Sequence, residues 1–165
     1  MEANQNNSFL EELLAKGFKC HSEGNILEAE KIYQFLLDQG FRNPGLFSNY
    51  GVISKNKGET NKAIMLYRKS IKFYPNIPDA YSNLGNLMRE QGNLKDAEFY
   101  LRKAIQVNPS FYYAYSNLVD ILIDNSNIKE AEFFIYKAIE LNPKFANAHL
   151  NLGRILWKQG KAKEA

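Results

Sequence analysis

The sequence has little of what marks secreted, membrane-spanning or metal-binding proteins. It contains one cysteine, Cys20, which by itself cannot form an internal disulfide or a zinc site and is typical of a reducing compartment. No apolar run approaches the roughly 20 residues that a membrane-spanning helix needs. The N-terminal residues MEANQNNS also lack the basic and apolar regions of a signal peptide. We therefore expect a cytoplasmic protein with no membrane partner.

Charge of one sign is also scarce. The net charge is +3, and basic residues alternate with acidic ones, so the sequence does not favour a nucleic-acid partner. The chain is 45% hydrophobic and 24% charged, a composition typical of a folded protein. It shows no phosphate-binding glycine loop, metal-ligand cluster or pair of catalytic carboxylates. We therefore expect no enzymatic activity, no metal and no cofactor.

What the sequence does contain is a repeat with a period of 34 residues. The segment AYSNLGNLMREQGNLKDAEFYL, residues 80–101, is followed by AYSNLVDILIDNSNIKEAEFFI, residues 114–135. The same step joins Ala29, Ala63, Ala97, Ala131 and Ala165, then Gly17, Gly51, Gly85 and Gly153, and then Gly24, Gly58, Gly92 and Gly160. Only Val119 and Ser126 break the two glycine series. We predict one array over residues 10–165, with repeats 10–43, 44–77, 78–111 and 112–145 and a partial repeat 146–165.

Each repeat is expected to form two helices joined by a turn. In the third repeat Tyr81, Leu84 and Met88 recur at helical spacing, Gly92 suits the end of the first helix, and Pro109 stops the second. Small residues on both helices, such as the glycine and alanine series, let the two backbones approach closely. At the N-terminus, Ser8 and Glu11 predict a capping box. Residues 1–9 are therefore expected to be a flexible tail and the helix cap.

The full pattern of the third repeat carries a family resemblance. It consists of Tyr81, Leu84, Gly85, Gly92, Ala97, Ala104, Ile105 and Pro109. On these residues the chain resembles the tetratricopeptide repeat family over residues 10–165. The resemblance implies an all-α fold, a right-handed superhelical solenoid of antiparallel helix pairs whose first helices line a concave groove.

One asparagine in each repeat after the first, where Ala15 stands instead, is the main candidate for function. The candidates are Asn49, Asn83, Asn117 and Asn151. Each is expected to face the groove, where an amide offers two donors and an acceptor to the backbone of an extended peptide. This arrangement resembles the asparagine ladder in the repeat arm of protein O-GlcNAc transferases. The alternative is that these amides bond a neighbouring helix or water.

Four further residues, Asn86, Arg89, Asp120 and Arg154, are predicted to share the peptide-binding groove. The charges on this face are mixed, which is also typical of an ordinary solvated surface. In the tetratricopeptide family some members clamp the C-terminal carboxylate of chaperones with cations on successive first helices. The matching positions here hold Leu14, Asp79 and Asn117, so we expect that clamp to be absent and the ligand to be a different, extended peptide.

Several residues outside the groove have two interpretations. Phe99 and Phe133, 34 residues apart on second helices, either form an outward-facing pair that marks a contact or tuck between adjacent second helices, which the sequence favours. His149 replaces a core aromatic, so we expect a packing role and no catalysis. Cys20 is expected to be a small core residue.

The C-terminal repeat is incomplete, since the chain stops where its second helix should begin. Apolar residues such as Leu152, Ile155 and Leu156 are expected to lack a partner there. We therefore expect the chain to be a fragment of a longer protein, or to form a homodimer through this open end.

Two functional hypotheses follow from the resemblance. The first is a scaffold that binds an extended peptide or protein segment in the concave groove. The second is the substrate-recruiting arm of a larger enzyme, such as a glycosyltransferase, whose catalytic domain is not in this chain.

Overall fold

The computed structural model describes residues 2–160, with side chains from residue 7 onward. Those residues form helices and no strand. The helices are α1 (Glu2–Ser22), α2 (Ile26–Asp38), α3 (Pro44–Asn56), α4 (Thr60–Phe73), α5 (Pro78–Glu90), α6 (Leu94–Val107), α7 (Tyr112–Asp124), α8 (Ile128–Leu141) and α9 (Ala146–Lys158). The all-α prediction is confirmed. Beginning with α3, every first helix starts at the first residue of a predicted repeat.

Local sequence explains where these helices start and stop. Proline is the first residue of α3 and α5, a position where its missing N–H costs nothing and its fixed φ suits the helix. Asn43 caps α3, because its side-chain oxygen accepts hydrogen bonds from the N–H groups of Gly45 and Leu46. The turn between α5 and α6 contains Gly92 at φ 77°, a left-handed conformation that glycine adopts without strain.

The chain divides into two compact units, Met1–Tyr74 and Pro75–Ala165. In unit 1, α1 packs against α2 and α3 against α4. Its core is dominated by aromatic and branched side chains, including Tyr33, Phe47 and Tyr50. Cys20 is a free, buried thiol in this core, so its predicted inward position is confirmed.

In unit 2 the helix pairs are α5 with α6 and α7 with α8, and the three first helices α5, α7 and α9 are neighbours. The small residues act as predicted. A Cβ added to Gly85 on α5 would lie 2.8 Å from Cγ of Leu101 and 3.1 Å from the carbonyl oxygen of Ala97 on α6. Close approach of these two helices therefore requires glycine at this position.

The prediction for the N-terminus is wrong for the residues that the structure describes. Helix α1 begins at Glu2, so Ser8 lies inside the helix and forms no capping box with Glu11. The segment from residue 2 to residue 9 contains neither proline nor glycine, and nothing in it stops a helix from extending.

The prediction of an open edge at Ile155 and Leu156 is also wrong. Both side chains are buried and Leu152 is half-buried, and α9 packs against α7 and α8. The exposed apolar residues of α9 are Leu150 and Trp157 instead. The predicted position of Ala165 lies outside the described residues.

The interpretation that Phe99 and Phe133 tuck between second helices is wrong. Their exposed fractions are 54% and 62%. Each lies two residues from the buried positions of its helix, Ala97 and Leu101 on α6 and Ala131 and Ile135 on α8. Two residues correspond to about 200° around a helix, so both rings point away from the core. Within residues 2–160 no helix has the length and apolar character to cross a membrane.

Candidate functional site

The predicted residues of unit 2 lie on one shared face of its first helices, here called the first-helix face. Asn83, Asn86 and Arg89 lie on α5, Asn117 and Asp120 on α7, and Asn151 and Arg154 on α9. The spacing of three residues between the members on one helix places them on the same side. Asn49 lies on α3 of unit 1, where its side chain is half-buried.

Charged residues form the centre of this face. Arg89 on α5 approaches Asp120 and Asp124 on α7, with N–O distances of 3.6 and 3.7 Å. From the other side, Arg154 on α9 donates a hydrogen bond to Asp120 and lies 3.9 Å from Asp124. Two guanidinium groups and two carboxylates thus link three consecutive first helices, and their charges cancel.

This network contains three of the predicted residues and one, Asp124, that was not among them. Asp120 and Arg154 are related by one repeat period, which was the signal for their contact in the sequence. Asp124 is one helical turn beyond Asp120, so helical spacing places it on the same face. Its carboxylate lies within ion-pair distance of both arginines because α5 and α9 each pack against α7, and that packing is a tertiary feature.

Two of the asparagines tie neighbouring helices together. Nδ2 of Asn117 donates to the hydroxyl oxygen of Ser82 at 3.2 Å. Nδ2 of Asn151 donates to the carbonyl and hydroxyl oxygens of Ser116 at 3.3 and 3.4 Å, and its Oδ1 accepts from Arg154 at 2.8 Å. Asn151 is only 4% exposed. The alternative interpretation, in which the amides bond a neighbouring helix, is therefore correct for Asn151. For Asn117 it is correct for the amide nitrogen.

The amides of Asn83 and Asn86 are in a different state. Both side chains are half-buried on the first-helix face, and no hydrogen bond within the described part of the chain engages either of them. The Oδ1 of Asn117 is likewise an acceptor that its bond to Ser82 leaves unused. Together these three side chains offer two complete amides and one carbonyl oxygen to a ligand.

An aromatic cluster borders this face at the starts of α7 and α9. The rings of Tyr112 and Tyr113 are 4.3 Å apart between centroids, and each also contacts Phe145, at 4.9 and 5.1 Å. Tyr113 is exposed, and the neighbouring Tyr112 and, to a smaller extent, the Asp79 carboxylate raise the pKa of its hydroxyl. The cluster was not predicted from the sequence, where its signal is Phe145 one period after Phe111.

His149, the remaining polar candidate, forms a hydrogen bond to a backbone carbonyl oxygen. His149 is exposed, and its Nε2 lies 2.7 Å from the carbonyl oxygen of Pro143. Tyr115, one period earlier, donates its hydroxyl to the carbonyl of Pro109 at 2.9 Å. The expected packing role of His149 is therefore wrong, because the ring keeps the hydrogen bond of the tyrosine. Among the residues that the structure describes, no group of three His, Cys, Asp or Glu side chains could hold a metal ion.

Comparison with protein families identifies the repeat. Models described as tetratricopeptide repeat match residues 78–111, 112–145 and 135–165, and a model described as TPR repeat matches residues 55–92. Residues 55–165 consist of tetratricopeptide repeats. No curated protein gives a significant match to the sequence. None of these findings shows the suggested similarity to the O-GlcNAc transferase arm.

Solved structures share the tetratricopeptide fold with this chain. A crystal structure of MamA protein is 22% identical, covers 94% of this chain and 85% of its own, and has a TM-score of 0.76. A tetratricopeptide repeat protein from Parabacteroides merdae is 21% identical, covers 94% of this chain and 63% of its own, and has a TM-score of 0.75. The first TPR of Spaghetti (RPAP3), bound to the HSP90 peptide SRMEEVD, is 21% identical, with 71% and 93% coverage and a TM-score of 0.66.

Proposed function

We propose that this tetratricopeptide protein is an interaction scaffold whose first-helix face binds an extended peptide segment of a partner protein. The observation that carries this proposal is the pair of half-buried amides on α5, Asn83 and Asn86, which have no partner within the described part of the chain. Neither amide is among the buried polar groups of the described residues, so a ligand can reach both of them from solvent. The peptide-bound RPAP3 repeat supports a peptide as the ligand.

The chemistry of these groups favours contact with the main chain of the peptide. An amide side chain donates to a peptide carbonyl and accepts from a peptide N–H, whichever side chains the ligand carries. Oδ1 of Asn117 adds an acceptor on the next helix. The exposed ring of Tyr113 at the border offers an apolar surface to one side chain of the ligand.

The charges on this face argue against a ligand held by its carboxylates. Arg89 and Arg154 are both paired with Asp120 and Asp124, so neither guanidinium is an unpaired cation. A carboxylate that bound there would have to displace an aspartate and leave it unpaired, at a cost in desolvation. We therefore expect the ligand to be an internal, uncharged or mixed segment. The same face would serve a free-standing scaffold or the recruiting arm of a larger enzyme.

The test is the double variant N83A/N86A, measured with peptides selected on the wild-type protein from a random peptide library. Losing two hydrogen bonds of about 1 kcal/mol each should weaken peptide binding by at least about tenfold. The melting temperature should change little, because neither amide bonds another part of the described chain. Binding is measured by isothermal titration calorimetry and melting by circular dichroism.

The matched control is N56A/N61A, which removes two exposed asparagines from unit 1. It should leave both peptide affinity and melting temperature unchanged. If N83A/N86A still binds the peptides as the wild type does, the proposal fails, and a clearly lower melting temperature would show in addition that the two amides are structural. Asn117 is kept in all variants, since its bond to Ser82 would confuse binding with stability.

A further inference from the structure

The outward rings of Phe99 and Phe133 are the least expected feature of unit 2. A third large aromatic side chain, Tyr136, is 51% exposed one turn beyond Phe133 on α8. Single exposed apolar residues are common. Three large rings on the solvent sides of two helices in one unit, two of them one repeat period apart, form a patch of the kind that marks an interaction site.

Lysines flank both phenylalanines in the same way. Lys95 and Lys103 lie four residues before and after Phe99, and Lys129 and Lys137 lie four residues before and after Phe133. Residues four apart are neighbours on a helix surface. We call these six residues, Lys95, Phe99, Lys103, Lys129, Phe133 and Lys137, the aromatic–lysine face.

The two halves of this face are linked by one arginine. Nη2 of Arg102 on α6 bonds Glu98 at 2.8 Å on its own helix and Glu130 at 2.7 Å on α8. Its guanidinium also lies 5.6 Å from the ring of Phe134. Arg102 pairs with both Glu98 and Glu130, and these bonds hold the three side chains between α6 and α8.

Most of the lysine charge, in contrast, is not neutralised. Lys95 and Lys129 are exposed and form no ion pair within residues 7–160. Lys103 bonds only the uncharged amide of Gln106, at 2.9 Å. Lys137 is paired with Glu140, which raises the pKa of its ammonium group. Three of the four lysines beside the phenylalanines thus keep their positive charge available.

From this geometry we propose that the aromatic–lysine face is a second binding surface, which takes an acidic amphipathic segment of a partner protein. The apolar side of the segment would contact Phe99 and Phe133, and its carboxylates would meet the flanking ammonium groups. Lysine suits this role because its aliphatic stem lies against apolar surface while its charged end stays in water. The two phenylalanines would be the energetic centre of the contact.

A protein segment fits this face better than an anionic membrane. Helix α8 carries two lysines, Lys129 and Lys137, against three glutamates, Glu130, Glu132 and Glu140. An anionic lipid surface attracts the lysines of α8 and repels its glutamates at the same time, so it does not attract this helix electrostatically. A segment, in contrast, can place each carboxylate beside one lysine.

The experiment uses the full chain and a fluorescent synthetic peptide that forms an amphipathic helix, with leucines on one side and glutamates on the other. A second peptide has lysine in place of every glutamate. Fluorescence anisotropy should show binding of the glutamate peptide and none of the lysine peptide. The variants F99A/F133A and K95E/K129E should each weaken binding by at least about tenfold. Both alter only exposed side chains, and circular dichroism verifies that both remain folded.

The matched control is M65A/K69E on α4, which changes the positions one period before Phe99 and Lys103. It should bind the peptide like the wild type, and so should N83A/N86A, which tests the first-helix face separately. Equal binding of the lysine peptide, or unchanged binding by F99A/F133A, would overturn the proposal. It also fails if vesicles containing phosphatidylserine bind the protein and the glutamate peptide does not.

Discussion

Ser126 adopts a backbone conformation that the other repeats assign to glycine. Its φ is 59°, while Gly24, Gly58, Gly92 and Gly160 in the corresponding turns have φ between 76° and 79°. A left-handed conformation brings the Cβ of an L-residue close to its own backbone. The break in the glycine series, visible in the sequence, is therefore a point of local strain in the turn before α8.

We expect Ser126→Gly to stabilise the protein by about 0.5–1 kcal/mol, because relief of this strain exceeds the extra entropy that glycine has in the unfolded chain. The measurement is urea denaturation followed by circular dichroism. The reverse change, Gly92→Ser, should lower stability by a similar amount. A Ser126→Gly variant that is less stable than the wild type would show that the serine side chain contributes more than its conformation costs.

Tyr33 places a hydroxyl group in the core of unit 1. It is fully buried, and its hydroxyl has no hydrogen-bond partner within the described residues. The ring contacts Phe18, His21 and Tyr50. Burial, with a smaller contribution from Cys20, raises the pKa of the Tyr33 hydroxyl to about 12.

Tyr33→Phe should increase stability at neutral pH by about 1 kcal/mol, since it removes an unpaired buried hydroxyl. Above pH 10 the unfolded tyrosine ionises while the folded one stays protonated, so the wild type should lose stability as the pH rises from about 10 to about 12. The difference in the free energy of unfolding between the variant and the wild type should therefore increase between pH 10 and pH 12. Urea denaturation at pH 7 and pH 11 measures this difference. If the difference is the same at both pH values, Tyr33 has the same pKa in the folded and the unfolded protein.

At the scale of helices, the packing of α5 on α6 depends on one missing methyl group. Gly85→Ala improves helix propensity by about 1 kcal/mol, yet its Cβ would lie 2.8 Å from Cγ of the fully buried Leu101 and 3.1 Å from the backbone oxygen of Ala97. We expect a net loss of stability of about 1–2 kcal/mol from this overpacking. Thermal denaturation tests it, with Lys95→Ala on the exposed side of α6 as the control. A higher melting temperature would mean that the two helices have room between them.

Helix positions were predictable from periodicity, and helix faces only in part. The 34-residue step predicts where α3, α5, α7 and α9 begin, because the spacing of small residues must repeat wherever two backbones meet. Phe99 is two residues, about 200°, from the buried Ala97, and this angle places it outside, opposite to the interpretation that the sequence favoured. The start of α1 was missed because a capping motif is a short local signal that any Ser-x-x-Glu can match.

At the scale of the whole molecule, the sequence predicts the repeat fold more fully than the site. Amphipathic pattern and turn residues identify helix pairs by themselves. Which asparagine is free depends on what the next helix places opposite it, and this differs between Asn83 and Asn151 although both occupy the same repeat position. The charge that each face offers to a ligand also depends on ion pairing, since Arg89 is paired with Asp120 and Lys95 has no ion pair within the described residues. Division into two compact units has no signal in composition at all.

The bonds between serine and asparagine bear on how such a chain can change length. Helix α7 carries both halves of the connection, since Asn117 donates to Ser82 on the preceding first helix and Ser116 accepts from Asn151 on the following one. A segment duplicated over one full period brings its own donor and its own acceptor. Whole repeats can thus be gained by duplication or lost by deletion without a compensating mutation in the neighbouring repeats, because each new junction again joins one asparagine donor to one serine acceptor.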